Sequence, residues 1–199
     1  MRRLLSVVVL STNVCVAAAQ ATNSPRAIPL PDTLGAGFSI ADSATRSGTP
    51  ADFDFLIGLW EFRFQTRRPD GTFQPSWSGH WLVTRKQGSN PFVEDHFRAD
   101  DPRSPYDVGT WTYRVFNPGR KIWEMQGVDS RSGAWSPGLC WSDGTDNRFL
   151  VQRYGPNLMR IRYLAITDTS FLWRADRSAD NGKSWTNDWW TMSARRLTR

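Results

Sequence analysis

The sequence predicts an all-β domain, a single antiparallel up-and-down β-barrel of about ten strands. Three observations lead there. Apolar and polar residues alternate with period two in several runs. Turn-forming clusters separate those runs at short intervals. No helix-period segment intervenes, apart from a short helical turn over Asp52–Ile57. Hairpins that follow one another without crossover helices build one antiparallel sheet, and closing it removes its two open edges. A two-sheet sandwich is the competing architecture.

The runs justify themselves in order. Trp60, Phe62 and Phe64 alternate with Glu61, Arg63 and Gln65. Trp77, Gly79, Trp81 and Val83 alternate with Ser78, His80, Leu82 and Thr84. Trp111, Tyr113 and Val115 follow the same rule, as do Met159, Ile161 and Tyr163. Such runs read as half-buried strands. Between the runs lie Pro69-Asp70-Gly71, Gln87-Gly88-Ser89-Asn90, Asn117-Pro118-Gly119, Ser142-Asp143-Gly144, Tyr154-Gly155-Pro156-Asn157 and Asp180-Asn181-Gly182. Gly, Pro, Asn and Asp end strands because they supply positive φ, a fixed φ or a local side-chain hydrogen bond.

The chain has 199 residues, and its first 50 have a different texture. Met1-Arg2-Arg3, the apolar run Leu4–Leu10, Val14–Ala19 and the small-residue exit Ala19-Gln20-Ala21 make residues 1–21 a secretory signal peptide. The apolar run is too short and too interrupted to span a bilayer. The expectation is an exported protein, periplasmic or secreted, with no integral membrane association. A lipidated Cys15 is a weaker alternative, since Thr12-Asn13-Val14 lacks the small residues that precede such a cysteine. Residues 22–50 are rich in Pro, Ser, Thr, Gly and Ala and read as a disordered leader. Residues 51–199 form the barrel domain, large enough to bury a sizeable core.

Cysteine and charge narrow the function. Past the signal peptide Cys140 is the sole cysteine, so no intramolecular disulfide is expected, and its residue type suits a buried core position. The net charge of +6 falls to +4 once Arg2 and Arg3 are removed with the signal peptide. The basic residues are dispersed, with Arg195-Arg196 only a pair, so no nucleic-acid partner is expected. With two histidines, His80 and His96, and no zinc-type spacing, no metal site is expected. No glycine-rich strand-to-helix loop offers a nucleotide site, and no cofactor is expected. His96 as an axial haem ligand is a minor alternative.

Eleven tryptophans between Trp60 and Trp190 either fill a core or line a ligand cavity. Assuming tight hairpin turns at Gly88-Ser89 and Pro118-Gly119, Trp81 faces His96 and Tyr113 faces Glu124. One candidate ligand-binding face then gathers Trp81, Glu94, His96, Arg98, Trp111, Tyr113, Glu124 and Gln126. Within it, Glu94, His96, Tyr113 and Glu124 are the candidate acid–base groups. The alternative is that Glu94-x-His96-x-Arg98 is a solvated outer stripe, since a one-residue register slip reverses the faces. Arg160, Arg162 and Arg174 are expected outside, because Met159, Ile161 and Tyr163 are the more apolar set.

The stretch Ser-Ala-Asp-Asn-Gly-Lys-Ser-Trp at 178–185 resembles the Asp-box of sialidases and other β-propellers. A propeller repeats its blade signature, and this box occurs once, so it reads as a turn device. Asp180 hydrogen-bonds turn amides, Gly182 takes positive φ and Trp185 packs over the loop. Gly58-x-Trp60 at the mouth of the first strand and Arg195-Arg196 in the last resemble the calycin superfamily of lipocalins and fatty-acid-binding proteins. That resemblance implies structural roles for Gly58, for Trp60 at a closed barrel end, and for a basic residue of the final strand, Arg195, packed on that ring. The FDFLIGLWEF opening and the closing S-x-D-x-G-K-[ST]-W hairpin are similar to bacterial calycin-like proteins grouped as DUF1579.

The leading functional expectation is binding of a small apolar, aromatic or acyl molecule in the barrel. An isomerase, cyclase or hydrolase using the same cavity is one alternative. A surface carbohydrate binder presenting Trp77, Trp135 and Trp141 is the other. The oligomeric state is left open.

Overall fold

The computed structural model describes residues 47–100, 109–130, 132–142 and 147–198. The signal peptide, most of the expected leader and the Asp143-Gly144 part of one turn lie outside these residues. The strands are β1 (Gly58–Thr66), β2 (Trp77–Lys86), β3 (Phe92–Ala99), β4 (Gly109–Asn117), β5 (Ile122–Asp129), β6 (Trp135–Ser142), β7 (Arg148–Tyr154), β8 (Asn157–Leu164), β9 (Ser170–Ser178) and β10 (Thr186–Thr198). Each pairs antiparallel with its sequence neighbours, and β1 pairs with β10 to close the sheet. The predicted up-and-down barrel of ten strands is the fold.

The closed end shows why Gly58 and Trp60 stand where they do. A 3-10 turn at Asp54–Leu56 carries Phe53 and Leu56, both fully buried, across the barrel floor. Gly58 then takes φ 130°, a conformation that a side chain disfavours, and turns the chain up into β1. The Trp60 indole donates to the Leu56 carbonyl at 2.7 Å. The guanidinium that covers Trp60 belongs to Arg196, at 4.1 Å from the ring centre, and not to Arg195. Register decides this: Trp60 lies opposite Arg196, whereas Arg195 lies opposite Glu61 and pairs with it outside at 2.8 Å. Arg196 also donates to the carbonyls of Phe55 (2.6 Å), Ile57 and Asp168 (2.5 Å), so it ties floor, barrel and the β8–β9 loop together.

The interior is aromatic. Phe62 stacks on Phe97 at 4.1 Å, and Trp81, Tyr163 and Phe171 meet as tilted or edge pairs. Gly79 is required there. A Cβ on it would lie 2.1 Å from the Arg98 carbonyl and 2.5 Å from the Phe62 ring. A smaller apolar cluster, Ile122, Leu139, Trp141 and Val151 with Phe149, lies on the outer side of β5–β7 and is also buried. Beside it Ser47 bridges to Ser142, the Gly48 amide donates to Lys121, and the Trp123 indole donates to Thr49. The last residues of the expected leader are therefore fastened to the barrel.

The Asp-box forms the β9–β10 turn. Ser178 Oγ donates to Asp180 at 2.7 Å and accepts from the Gly182 amide at 2.7 Å. Asp180 accepts from the Ser184 amide at 2.9 Å and from its hydroxyl at 2.6 Å, which holds the Asp180 carboxyl well below the usual carboxylate range. Gly182 sits at φ 87°, and the Trp185 indole closes the turn on its carbonyl at 3.1 Å. Arg160 lies over the Trp185 ring at 4.5 Å.

Candidate functional site

The face gathered from tight-turn registers separates in the structure. The β2–β3 connection is the longer loop 87–91, which starts from Lys86 opposite Phe92, so Trp81 meets Phe97 rather than His96. That one-residue difference reverses β3. Val93, Asp95 and Phe97 turn to the barrel side with Trp81, while Glu94, His96 and Arg98 lie outside. The β4–β5 connection is also longer, so Tyr113 faces Gln126 and Val115 faces Glu124. This shift is even and preserves faces, so Trp111, Tyr113, Glu124 and Gln126 are outside too. Glu94 pairs there with Lys86 at 2.7 Å, and Glu124 with Arg120 at 2.8 Å. His96 stacks on Trp111 at 4.1 Å, and desolvation, aided by Arg98, pushes its pKa down against the pull of Glu94. Glu94, His96, Tyr113 and Glu124 therefore do not meet around the interior. Arg160 and Arg162 lie outside, where both bind Asp176.

Trp81 alone of that set lines the interior cavity, which measures about 140 Å³. Phe64, Trp77, Phe97, Trp173 and Trp190 supply aromatic wall, and Met125, Leu150, Ile161 and Met192 aliphatic wall. Thr110, Asp129, Gln152 and Tyr154 line it nearer the end opposite the floor. There the Tyr154 hydroxyl lies 3.3 Å from Asp129, which also accepts from the Ser132 amide at 2.9 Å.

The polar group deeper in the barrel was not anticipated. Arg114 of β4 and Asp95 of β3, both 2 % exposed, form a salt bridge inside the barrel. Asp95 also accepts from the Trp81 indole at 2.9 Å, and Arg114 reaches the Tyr163 hydroxyl at 3.4 Å. Among the described residues nothing accepts a hydrogen bond from Arg114 Nε. Burial raises the pKa of the Tyr163 hydroxyl, and pushes the nearby Cys140 thiol up to about 12, in each case against the pull of Arg114. Cys140 is thus a protonated, inert neighbour of the site.

The sequence signal for this pair was the other reading of β3. Taking the apolar residues Val93 and Phe97 as inward carries Asp95 inward, and pairing then brings Thr112 and Arg114 inward on β4. The alternation on β4 hid it, because Trp111, Tyr113 and Val115 are the more apolar set yet face out.

Among the described residues no group of three or more His, Cys, Asp or Glu side chains is arranged to hold a metal, and no helix is long and apolar enough to cross a membrane.

Comparison with solved structures agrees on architecture. The S-type phycobiliprotein lyase CPES from Guillardia theta superposes with a TM-score of 0.51 at 10% identity, covering 81% of this chain and 98% of that one. At that identity the likeness is one of fold alone. Rv2717c from M. tuberculosis gives a TM-score of 0.49 at 16% identity, over 76% of this chain and 99% of that one. No family model and no curated protein matches the sequence.

Proposed function

We propose that this chain is an exported binding protein for a ring-sized organic molecule that presents a hydrogen-bond acceptor to Arg114. The observation that carries the reading is the aromatic cavity of about 140 Å³ with the buried Asp95–Arg114 pair among its lining residues. Replacing a buried ion pair by apolar residues is commonly neutral or stabilising, so Asp95–Arg114 is poorly explained as a device for stability. It is well explained as a head-group site, because Asp95 fixes the guanidinium and leaves one donor for a ligand oxygen. Dry aromatic walls then supply most of the contact area.

Volume selects the ligand class. A cavity of about 150 Å³ accommodates benzene, whereas drug-sized ligands occupy roughly 300–1,000 Å³. One aromatic or heterocyclic ring with a carbonyl or carboxylate substituent fits, and a long acyl chain does not. Asp95 and Asp129 are the carboxylates that line the cavity, and each already accepts hydrogen bonds, which favours binding over acid–base turnover.

Export rests on residues 1–21; N-terminal analysis of the secreted chain is expected to give Thr22 as its first residue. Kinship with the DUF1579 group rests on the FDFLIGLWEF opening and the closing hairpin. The binding reading is tested by calorimetric titration with benzoate, benzamide and benzene. Benzoate or benzamide is expected to bind in a 1:1 ratio, and Arg114→Met is expected to weaken it at least tenfold while leaving benzene unaffected. Equal affinity of both proteins for benzamide and benzoate would overturn the head-group assignment.

A further inference from the structure

The outside of the barrel treats apolar side chains in two ways. Leu82 on β2, Val115 on β4 and Trp135 at the start of β6 stand 48 %, 39 % and 63 % exposed. Ile122 on β5, Leu139 and Trp141 on β6 and Val151 on β7 are only 2 %, 2 %, 8 % and 3 % exposed. These four also point outward, because their strand neighbours Trp123, Cys140 and Leu150 belong to the interior core. The registers gather them into two short rows. Trp123 opposite Cys140 sets Ile122 beside Trp141, Trp141 lies opposite Phe149, and Leu139 lies opposite Val151. The patch spans three strands and two side chains along each, roughly 10 Å by 7 Å. An apolar sheet face is buried only when another layer lies on it. That layer belongs to this chain, since the patch is covered within a single copy.

We infer that the covering layer is segment 22–46, docked through its apolar side chains on the outer face of β5–β7. The place where this segment joins the domain selects it. Ser47 bridges to Ser142, the residue after Trp141. The Gly48 amide donates at 2.6 Å to the carbonyl of Lys121, the residue before Ile122. The chain therefore enters the domain at the corner of the patch. Segment 22–46 also has the side chains required, with Leu34, Phe38 and Ile40 among them. Phe38 and Ile40 stand two apart and share one side of an extended chain. The step from Ile40 to Ser47 can reach up to about 23–25 Å, more than the length of the patch. A segment tethered this close docks at an effective concentration of about millimolar, which a second copy in free solution seldom matches.

Other parts of the chain fit less well. The β6–β7 turn, Asp143-Gly144-Thr145-Asp146, is nearest in sequence but has no apolar side chain beyond the Thr145 methyl. The β3–β4 connection ends at Gly109, whereas the patch begins beside the Asn117–Ile122 pair at the other end of β4. On this account segment 22–46 is a layer of the folded domain.

Paramagnetic relaxation in the mature chain, residues 22–199, tests this. Cys140 is buried, so Ser39→Cys takes a nitroxide label selectively. The Trp141 indole and the Leu139 and Val151 amides are expected to lose most of their intensity, at every protein concentration, while the Trp111 and Trp135 indoles keep theirs. Phe38→Glu with Ile40→Glu, under the same label, is expected to restore the lost signals, and the spectrum itself shows that the barrel remains folded. Trp141, Leu139 and Val151 signals that the label leaves unchanged would overturn the inference. So would equal losses at Trp111 and Trp135, or losses that the two glutamates do not relieve. Loss that appears only between a labelled chain and a separate isotope-enriched chain would overturn it in favour of a second copy.

Discussion

Replacing Arg114 by Met isolates the energetics of the interior pair. The substitution leaves the Asp95 carboxylate, 2 % exposed, with the hydrogen bond from the Trp81 indole at 2.9 Å but without its counter-charge. Removing one member of a buried ion pair typically costs about 3–5 kcal/mol, because the other charge stays desolvated without compensation. In a domain of this size each kcal/mol moves the melting temperature by roughly 2–4 °C, so a fall of about 6–20 °C is expected. Asp95→Asn combined with Arg114→Met removes both charges, and the double variant is expected to be more stable than Arg114→Met alone. Guanidinium unfolding followed by tryptophan fluorescence, with a double-mutant cycle, measures both quantities. An Arg114→Met variant within about 1 kcal/mol of the parent would refute the placement of an ionised pair in a dry interior. Strictly additive effects of the two substitutions would do the same.

Three further outcomes follow from the packing. Gly79→Ala forces a Cβ against the Arg98 carbonyl and the Phe62 ring, and is expected to cost about 1–3 kcal/mol in denaturant unfolding. Arg196→Ala removes the guanidinium from Trp60 and its bonds to Phe55, Ile57 and Asp168, and is expected to cost about 2–4 kcal/mol, whereas Arg195→Ala scarcely changes the midpoint. Cys140, raised from 9.0 to about 12, keeps its proton in the folded chain after the unfolded chain has begun to lose it. Its contribution to stability is therefore full below pH 9 and lost as pH rises from there toward 12, with a limiting slope of about 1.4 kcal/mol per pH unit. The parent is expected to lose stability over that range more steeply than Cys140→Ala, and its thiol to react with a disulfide reagent only on unfolding.

The fold was legible because its signals are local and redundant. Alternation in β1, β2 and β8, turn residues between strands and the lack of helical periods all point to one antiparallel sheet. The 178–185 turn was legible for the same reason, since its bonds run between residues two to four apart. The site was not, because it depends on loop length. Reading Gly88-Ser89 as a tight turn, where the chain uses 87–91, turned β3 over and directed attention to Glu94, His96 and Arg98. On β4 the rule that the more apolar set faces inward fails. The interior needs Thr112 and Arg114 beside Asp95, and the outer face carries Trp111 and Val115. Arg195 was preferred to Arg196 on Trp60 because adjacent arginines look alike until the β1–β10 register is known.

A ¹⁵N-resolved titration that follows the Trp81 indole and Arg114 Nε resonances while benzamide is added tests the central claim most directly. The account predicts saturable shifts of both, the Arg114 Nε–H moving downfield as it gains an acceptor, and the same titration silent at Arg114 with benzene. Shifts confined to Trp111 and Trp135 on the outer face, with Trp81 and Arg114 unmoved by benzamide and by benzoate, would contradict it.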